Sequence, residues 1–388
     1  MSIYIDFNAI QSVPSSNINR DDTGNPKTAY YGGYLRARVS SQAWKRAIRT
    51  YFGEKLEAAK LGVRTRRIGK CIENAIVEKK PELEDKASEY ASAVLEHLIG
   101  KGKLEPSKRA GSEKDSGEQV AKYLVFMAHQ EIESLADIAI EAANNGLNPE
   151  QLKGDEEIDK KIKSIKTDKP QAIDIALFGR MLADIPDMKV DASCQVAHAI
   201  SVDELAPEYD YFTAVDDYAA SDNAGAGYLD TAGFNSATFY RFATVNISSL
   251  FEQLNDIDTT TDAVSNFLEA FLYAMPSGKI NSFANDTLPS TVLISIRNTR
   301  PINLVSAFED PVRSGNDGSI SKNAANRLLE VSQSYNKTYN EEPVKSYLLT
   351  VDEAVSNSYK NLESVTLEET LEELKDKLVN EVKCQLNS

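Results

Sequence analysis

The chain has 388 residues, 41% of them hydrophobic, with 43 Lys and Arg against 59 Asp and Glu for a formal net charge of −16. That is ample apolar content for one large elaborated domain or two to three smaller ones, and no apolar run reaches the ~18–20 residues a membrane-spanning helix needs. The N-terminus "MSIYIDFNAI" lacks a basic stretch followed by an apolar one, so the expectation is a cytoplasmic protein without membrane contact, and Cys71, Cys194 and Cys384 are too scattered for a disulfide framework or a zinc site.

In chain order, "SIYIDFNAI" alternates Ile3, Ile5, Phe7 and Ala9 with Tyr4, Asp6 and Asn8, the period of a half-buried strand. Residues 11–34 carry turn signals ("VPSSN", "DDTGNPK", "YGG"). After "RARV", Ser40 and Ser41 are candidate N-caps of a helix whose buried stripe is Trp44, Ala47, Ile48 and Tyr51; Gln42, Lys45, Arg46 and Arg49 fall on the other side. Residues 59–180 read as an inserted helical lobe, interrupted by a polar loop over 100–118. A strand is expected within 181–202, at "VDASCQVAHAISV", then a functional-length loop over 203–236. Residues 237–388 supply a strand at 237–248, a helix at 261–275, a strand at 290–297, C-terminal helices and one strand near "KSYLLTV". With 1–58, the order is β-α-β-β-α-β: an α+β fold with a ferredoxin-like or RRM-like core carrying two large insertions.

Charge is unevenly spread. Residues 20–70 hold 13 Lys and Arg against 4 Asp and Glu. Phosphate responds to fields within a Debye length, roughly 8–10 Å, so a local basic face can act on an acidic body. "VSSQAWKRAIR" joins the donors of a helix start to hydroxyls, an amide and three cations, and Arg20 and Lys27 can reach it from the preceding loop. Two readings fit, a seat for a polyanion and a solvated basic face. The RNP1 pattern is absent, so gripping of a backbone fits better than base readout; Phe239, Tyr240 and Phe242 are read as core, and Tyr209, Tyr211, Phe212 and Tyr218 either close the long loop or wedge between bases. No catalytic constellation stands out. Asp21/Asp22 and Asp216/Asp217 read as turn residues, His97, His129 and His198 as structural, and there is no phosphate-loop, nucleophile-elbow, zinc-protease or cofactor motif.

"NRDD", "YGG", "RARVSSQAWKRAIR", "DIALFGRM", "AHAI", "YFTAVDD" and "SATFYRFATVN", in that order, resemble the CasC family, the backbone subunit of the type I-E CRISPR surveillance complex, Cascade. The resemblance runs from residue 1 to about 310 and is most specific in the first fifty. It implies an RRM-like palm, a helical fingers insertion and a thumb made by the long loop, in a non-catalytic protein whose copies assemble head to tail on one guide RNA. The other Cascade subunits (large, small and end-capping) and a target DNA strand paired to the guide would be further partners. By the family pattern, Arg20, Lys27, Ser40, Gln42, Lys45, Arg46 and Arg49 would hold the guide backbone, with Arg49 standing where lysine is usual, and Met181 and Phe212 would bracket a base flipped out of line. Lys101, Lys103, Lys108 and Arg109 would help meet the target strand. Related backbone subunits that cut RNA from a loop aspartate supply the rival expectation, a metal-dependent ribonuclease.

Overall fold

A computed structural model describes residues 2–108, 115–153, 155–165, 171–181, 188–214, 228–315, 318–360 and 365–387. The chain opens with β1 (Tyr4–Ser16), β2 (Thr28–Tyr31), β3 (Tyr34–Val39) and α1 (Ser41–Lys55). There follow β4 (Gly62–Thr65), α2 (Ile68–Lys79), α3 (Glu84–Ile99), β5 (Leu104–Lys108), β6 (Asp115–Ala121), β7 (Val125–Ala128), α4 (His129–Asn144), α5 (Pro149–Leu152), α6 (Glu156–Ile165) and α7 (Ile173–Phe178). Next come β8 (Cys194–Val196), β9 (Ala199–Ser201), β10 (Glu208–Ala214), β11 (Tyr228–Asn246), α8 (Ile247–Leu254), α9 (Ile257–Tyr273) and α10 (Ile280–Phe283). The chain ends with β12 (Thr291–Arg297), α11 (Ile320–Tyr339), β13 (Lys345–Thr350), α12 (Glu353–Tyr359), β14 (Val365–Glu368) and α13 (Leu371–Asn387). Two compact units result: Met1–Phe52 with Cys194–Ser249 and Ile257–Ser388, and Gly53–Ser193 with Leu250–Asp256.

The first unit is built on a mixed sheet in the order β14-β13-β12-β1-β11-β9-β3-β2, with β8 and β10 also paired to β11. Among the described strand pairs of this sheet, only β13 and β14 run parallel. β1 is its spine. Ile5, Phe7 and Ala9 are fully buried as the alternation predicts, with Phe7 packed on Phe267 and Phe271 of α9. The expected solvent face is buried too: Asp6 and Asn8 lie under a second apolar layer formed by Leu304, Phe308, Leu328 and neighbours. Their partners come from far along the chain: Asp6 Oδ2 accepts from Arg297 Nε (3.1 Å) and Ile302 N (2.9 Å), and Asn8 Oδ1 from the Tyr240 hydroxyl (2.8 Å), while Asp6 Oδ1 has no hydrogen-bond partner among the described residues.

Burial pushes the Asp6 carboxyl from 3.8 up to about 6, against the pull of the Ile302 amide and Arg297. The folded chain therefore binds the Asp6 proton more tightly than the unfolded chain does, so this residue's contribution to stability rises as pH falls from about 6 toward 4. Asp6→Asn keeps an acceptor for Arg297 and is expected to remove that part of the slope, as read from urea midpoints at pH 7 and pH 5 for both proteins. Equal slopes would contradict the assignment.

Three stretches differ from the sequence reading. The strand expected over 190–202 is split, because three residues, Ala197–Ala199, stand opposite two, Arg241 and Phe242, where the register slips by one between Val196↔Ala243 and Ile200↔Tyr240. This bulge turns His198 to the surface. The 203–236 stretch is not a plain loop: β10 pairs antiparallel with the start of β11, Glu208 opposite Phe234 through Ala214 opposite Tyr228. Likewise the polar 100–118 stretch holds the paired strands β5 and β6. The second unit packs α2, α3, α4 and α6 around Ile72, Val94, Leu135 and Ile162. Tyr218, Asp216, Asp217 and Arg109 lie outside the described residues.

Candidate nucleic-acid interface

α1 is fastened to the sheet through its buried stripe, Trp44, Ile48 and Phe52. The Arg241 guanidinium sits 3.8 Å from the Trp44 ring centre and donates to Gln11 Oε1 and the Phe271 carbonyl; burial lowers its pKa to about 9. Ser40 caps the helix. Its carbonyl accepts from Ala43 N (3.0 Å) and Trp44 N (3.2 Å), its Oγ accepts from Ala43 N (3.3 Å), and its own N–H donates to Asn19 Oδ1 (2.9 Å). At 5% exposure Ser40 fixes the helix start, while Gln42 and Arg46 are exposed on the first turns and Lys45 and Arg49 are half-buried with contacts inside the chain. Lys45 lies close enough to Cys194 to oppose the burial that pushes that thiol up to about 12.

Arg20 and Lys27 sit at the base of a loop organised by its own aspartate. Asp21 Oδ1 accepts from Thr23 Oγ1 (2.7 Å), Thr23 N (2.9 Å) and Asn25 N (3.0 Å), and the Thr23 hydroxyl above all holds its carboxyl below the usual range. Arg20 bridges Pro26, and Lys27 N donates to Asn19 O (2.9 Å), which carries both cations beside the residue that holds Ser40. Among the described residues neither Arg20, Lys27 nor Arg46 has a carboxylate partner, although the chain has an excess of acids. The same face gains two groups the sequence reading left out. Arg38 donates from Nε to Thr28 O (3.1 Å) and lies 3.0 Å, through Nη1, from His198 Nδ1. Burial, then Arg38 and Lys27, lower the pKa of that imidazole. Arg36, by contrast, is withdrawn: it is fully buried and donates to the carbonyls of Ser201, Val202, Phe308 and Glu309 at 2.9–3.0 Å.

Met181 and Phe212 belong to different units. In the second unit the Arg180 guanidinium is buried against Glu131 (2.7 Å and 2.9 Å) and donates to Met188 O (2.8 Å), while the Arg180 backbone bridges Val190. Neighbouring residues of an extended segment point opposite ways, so Met181 stands 85% exposed. Gly179 before it adopts φ +77, and a side chain there would press on Val190 O and Ala192 N at 3.0 Å. In the first unit Phe212 lies on β10 opposite Asp230 at 38% exposure, with Tyr209 and Tyr211 exposed on the other face of the ribbon. Phe239, Tyr240 and Phe242 are buried in the sheet.

Among the described residues no three His, Cys, Asp or Glu side chains are grouped to hold a metal ion, and no helix is long and apolar enough to cross a membrane. The arrangement is that of an α+β protein with a cationic, hydrogen-bond-rich face at the start of α1, suited to a chain of phosphates. Residues 5–377 match the model of the family described as CT1975-like protein (Cas_CT1975), and the chain belongs to that family. A search of curated proteins gives no match. Among solved structures, a chain of a "CRISPR RNA-guided surveillance complex, pre-nicking" is similar at 34% identity and a TM-score of 0.81, covering 98% of this chain and 100% of that one. A chain of a "CRISPR RNA-guided surveillance complex" is similar at 29% identity and a TM-score of 0.72, covering 97% and 99%.

Proposed function

We propose that this chain is a guide-RNA-binding backbone subunit of a Cascade-type CRISPR effector in the cytoplasm, of the CasC kind found in type I-E. The observation that carries the reading is the cluster of Arg20, Lys27, Gln42, Lys45, Arg46 and Arg49 around the start of α1, in a chain similar over nearly its whole length to surveillance-complex chains. The neighbouring strands β12-β1-β11-β9, with α1 and α9 in the connections, form an RRM-like palm in this reading. The second unit serves as fingers, and the β10–β11 ribbon as the thumb.

Cations and amides that hold ribose-phosphate leave the Watson–Crick edges free, so one protein carries any guide and pairing with the target DNA strand supplies specificity. Copies add head to tail, with the large, small and end-capping subunits completing the complex. Met181 of one copy and Phe212 of another bracket a base at each junction, offsetting the few kcal/mol, roughly, that an interrupted stack costs. The chain acts without catalysis; the role of Asp21 as organiser of its own loop supports this.

Expression with a CRISPR array tests the reading: RNA of guide length is expected to co-purify and to show evenly spaced protection from nuclease. Protein free of RNA, or protection without a period, would overturn it. Incubating the loaded protein with matched RNA and Mg²⁺ tests the absence of catalysis; cleavage lost in Asp22→Ala would favour a ribonuclease.

A further inference from the structure

We propose that the segment Pro276–Pro289 is a further ribose-phosphate contact of the guide-binding face, with Lys279 as its cation; this rests on the RNA-binding reading above. The backbone of this segment is unusual. Lys279 (φ 47) and Ala284 (φ 46), on either side of α10, both adopt the left-handed conformation that non-glycine residues avoid. Strain of this kind persists where the surroundings impose it, and it gathers at binding sites.

The surroundings are those of the proposed site. At Gly278 a Cβ would collide with the carbonyl of Ile18, so the segment lies directly on the chain leading into Asn19, which holds Ser40, and Arg20. Phe283 packs on Phe234 (6.0 Å between ring centres), and Phe234 stands opposite Glu208, where the β10 ribbon begins. Gln11 Nε2 donates to Thr287 O (2.7 Å) and Oγ1 (3.2 Å), while its Oε1 holds the Arg241 that packs on Trp44. The segment is thus pinned between the start of α1 and the base of the ribbon.

Its chemistry suits phosphate. The Lys279 ammonium has no carboxylate partner among the described residues, so its charge is not spent on an ion pair within them. Ser277, Asn281 and Ser282 beside it are exposed donors. Asn285, 1% exposed, has neither Nδ2 nor Oδ1 hydrogen-bonded, an unmet polar group at the foot of the same segment. Hydroxyls, an amide and one cation on an irregular backbone grip a strand without reading its bases.

The test uses the full chain and a fluorescent guide-length RNA, with affinity measured across a salt series. Lys279→Asn removes the charge with a residue that tolerates the left-handed backbone, and Lys279→Arg keeps the charge. The asparagine variant is expected to bind about threefold to tenfold more weakly, uniformly across guide sequences, with a log–log salt slope shallower by about 0.7; the arginine variant should stay near wild type. Should Lys279→Asn melt early, photocrosslinking of RNA to the unsubstituted chain gives the answer instead, through labelling of Ser277–Ser282. Wild-type affinity and slope in Lys279→Asn, or crosslinks that avoid the segment, overturn the proposal while Lys45→Glu/Arg49→Glu still loses RNA. If that double variant also retains RNA, the underlying reading fails and this one with it.

Discussion

Replacing Lys45 and Arg49 together with glutamate is expected to weaken guide RNA binding by at least about 100-fold, with no loss of fold. Under the proposed reading each side chain would contribute a charge-assisted contact worth roughly 1.5–3 kcal/mol, so two amount to about 3–6 kcal/mol, and about 1.4 kcal/mol is a factor of ten. Reversal adds repulsion between carboxylate and phosphate. The fold should tolerate it, because the helix is held by Trp44, Ile48 and Phe52 on its opposite side and capped by Ser40, none of which changes. Lys45 and Arg49 are partly exposed, so the polar contacts they make inside the chain are worth about 0–1 kcal/mol each. Filter binding and thermal melting on the same preparations separate the two effects. The glutamine pair should fall between, with a salt slope lower by about 1.4 for two contacts on a single strand. Full RNA retention by a folded double-glutamate protein would move the binding face away from α1.

α1 was legible because its chemistry is local: a cap, an apolar stripe and a polar face recur within fifteen residues. What the sequence concealed is non-local. Asp6 and Asn8 look like solvent positions until Arg297, Ile302 and Tyr240 arrive from more than 230 residues away to meet them. Arg36 and Arg38 look alike in "RARV", yet carbonyls from two distant segments enclose the first, while a bulge in one of those same segments brings His198 to the second. Ser40 shows a different ambiguity, since the hydroxyl that suits a phosphate also suits a helix cap, and an oxygen that accepts from Ala43 N still carries a proton to donate. The β10 ribbon is hard to read from sequence for want of a buried side: Glu208–Ala214 is exposed at every residue, so no apolar-in, polar-out alternation is imposed on it. Met181 stands out in the sequence through resemblance alone, and its prominence depends on the residue before it.

That dependence makes Glu131→Ala the most damaging single change expected here. Arg180 and Glu131 are both almost wholly buried, and Glu131 Oε2 also accepts from Ala128 N (2.8 Å) at the start of α4. Removing the carboxylate leaves a buried guanidinium without its counter-charge, a loss of about 3–5 kcal/mol for pairs of this kind, and frees the Ala128 amide as well. The unit spanning Gly53–Ser193 should melt earlier and exchange amide hydrogens faster in Val125–Ala139 and Ile173–Met181, with the sheet unit less affected. Met181→Ala is the contrasting case. Its side chain projects into solvent, so stability should stay within about 0.5 kcal/mol while guide binding weakens under the proposed reading. A Glu131→Ala protein that melts as wild type does would mean that the bridge between Arg180 and Val190, together with the Arg180–Met188 contact, holds Met181 outward without the ion pair.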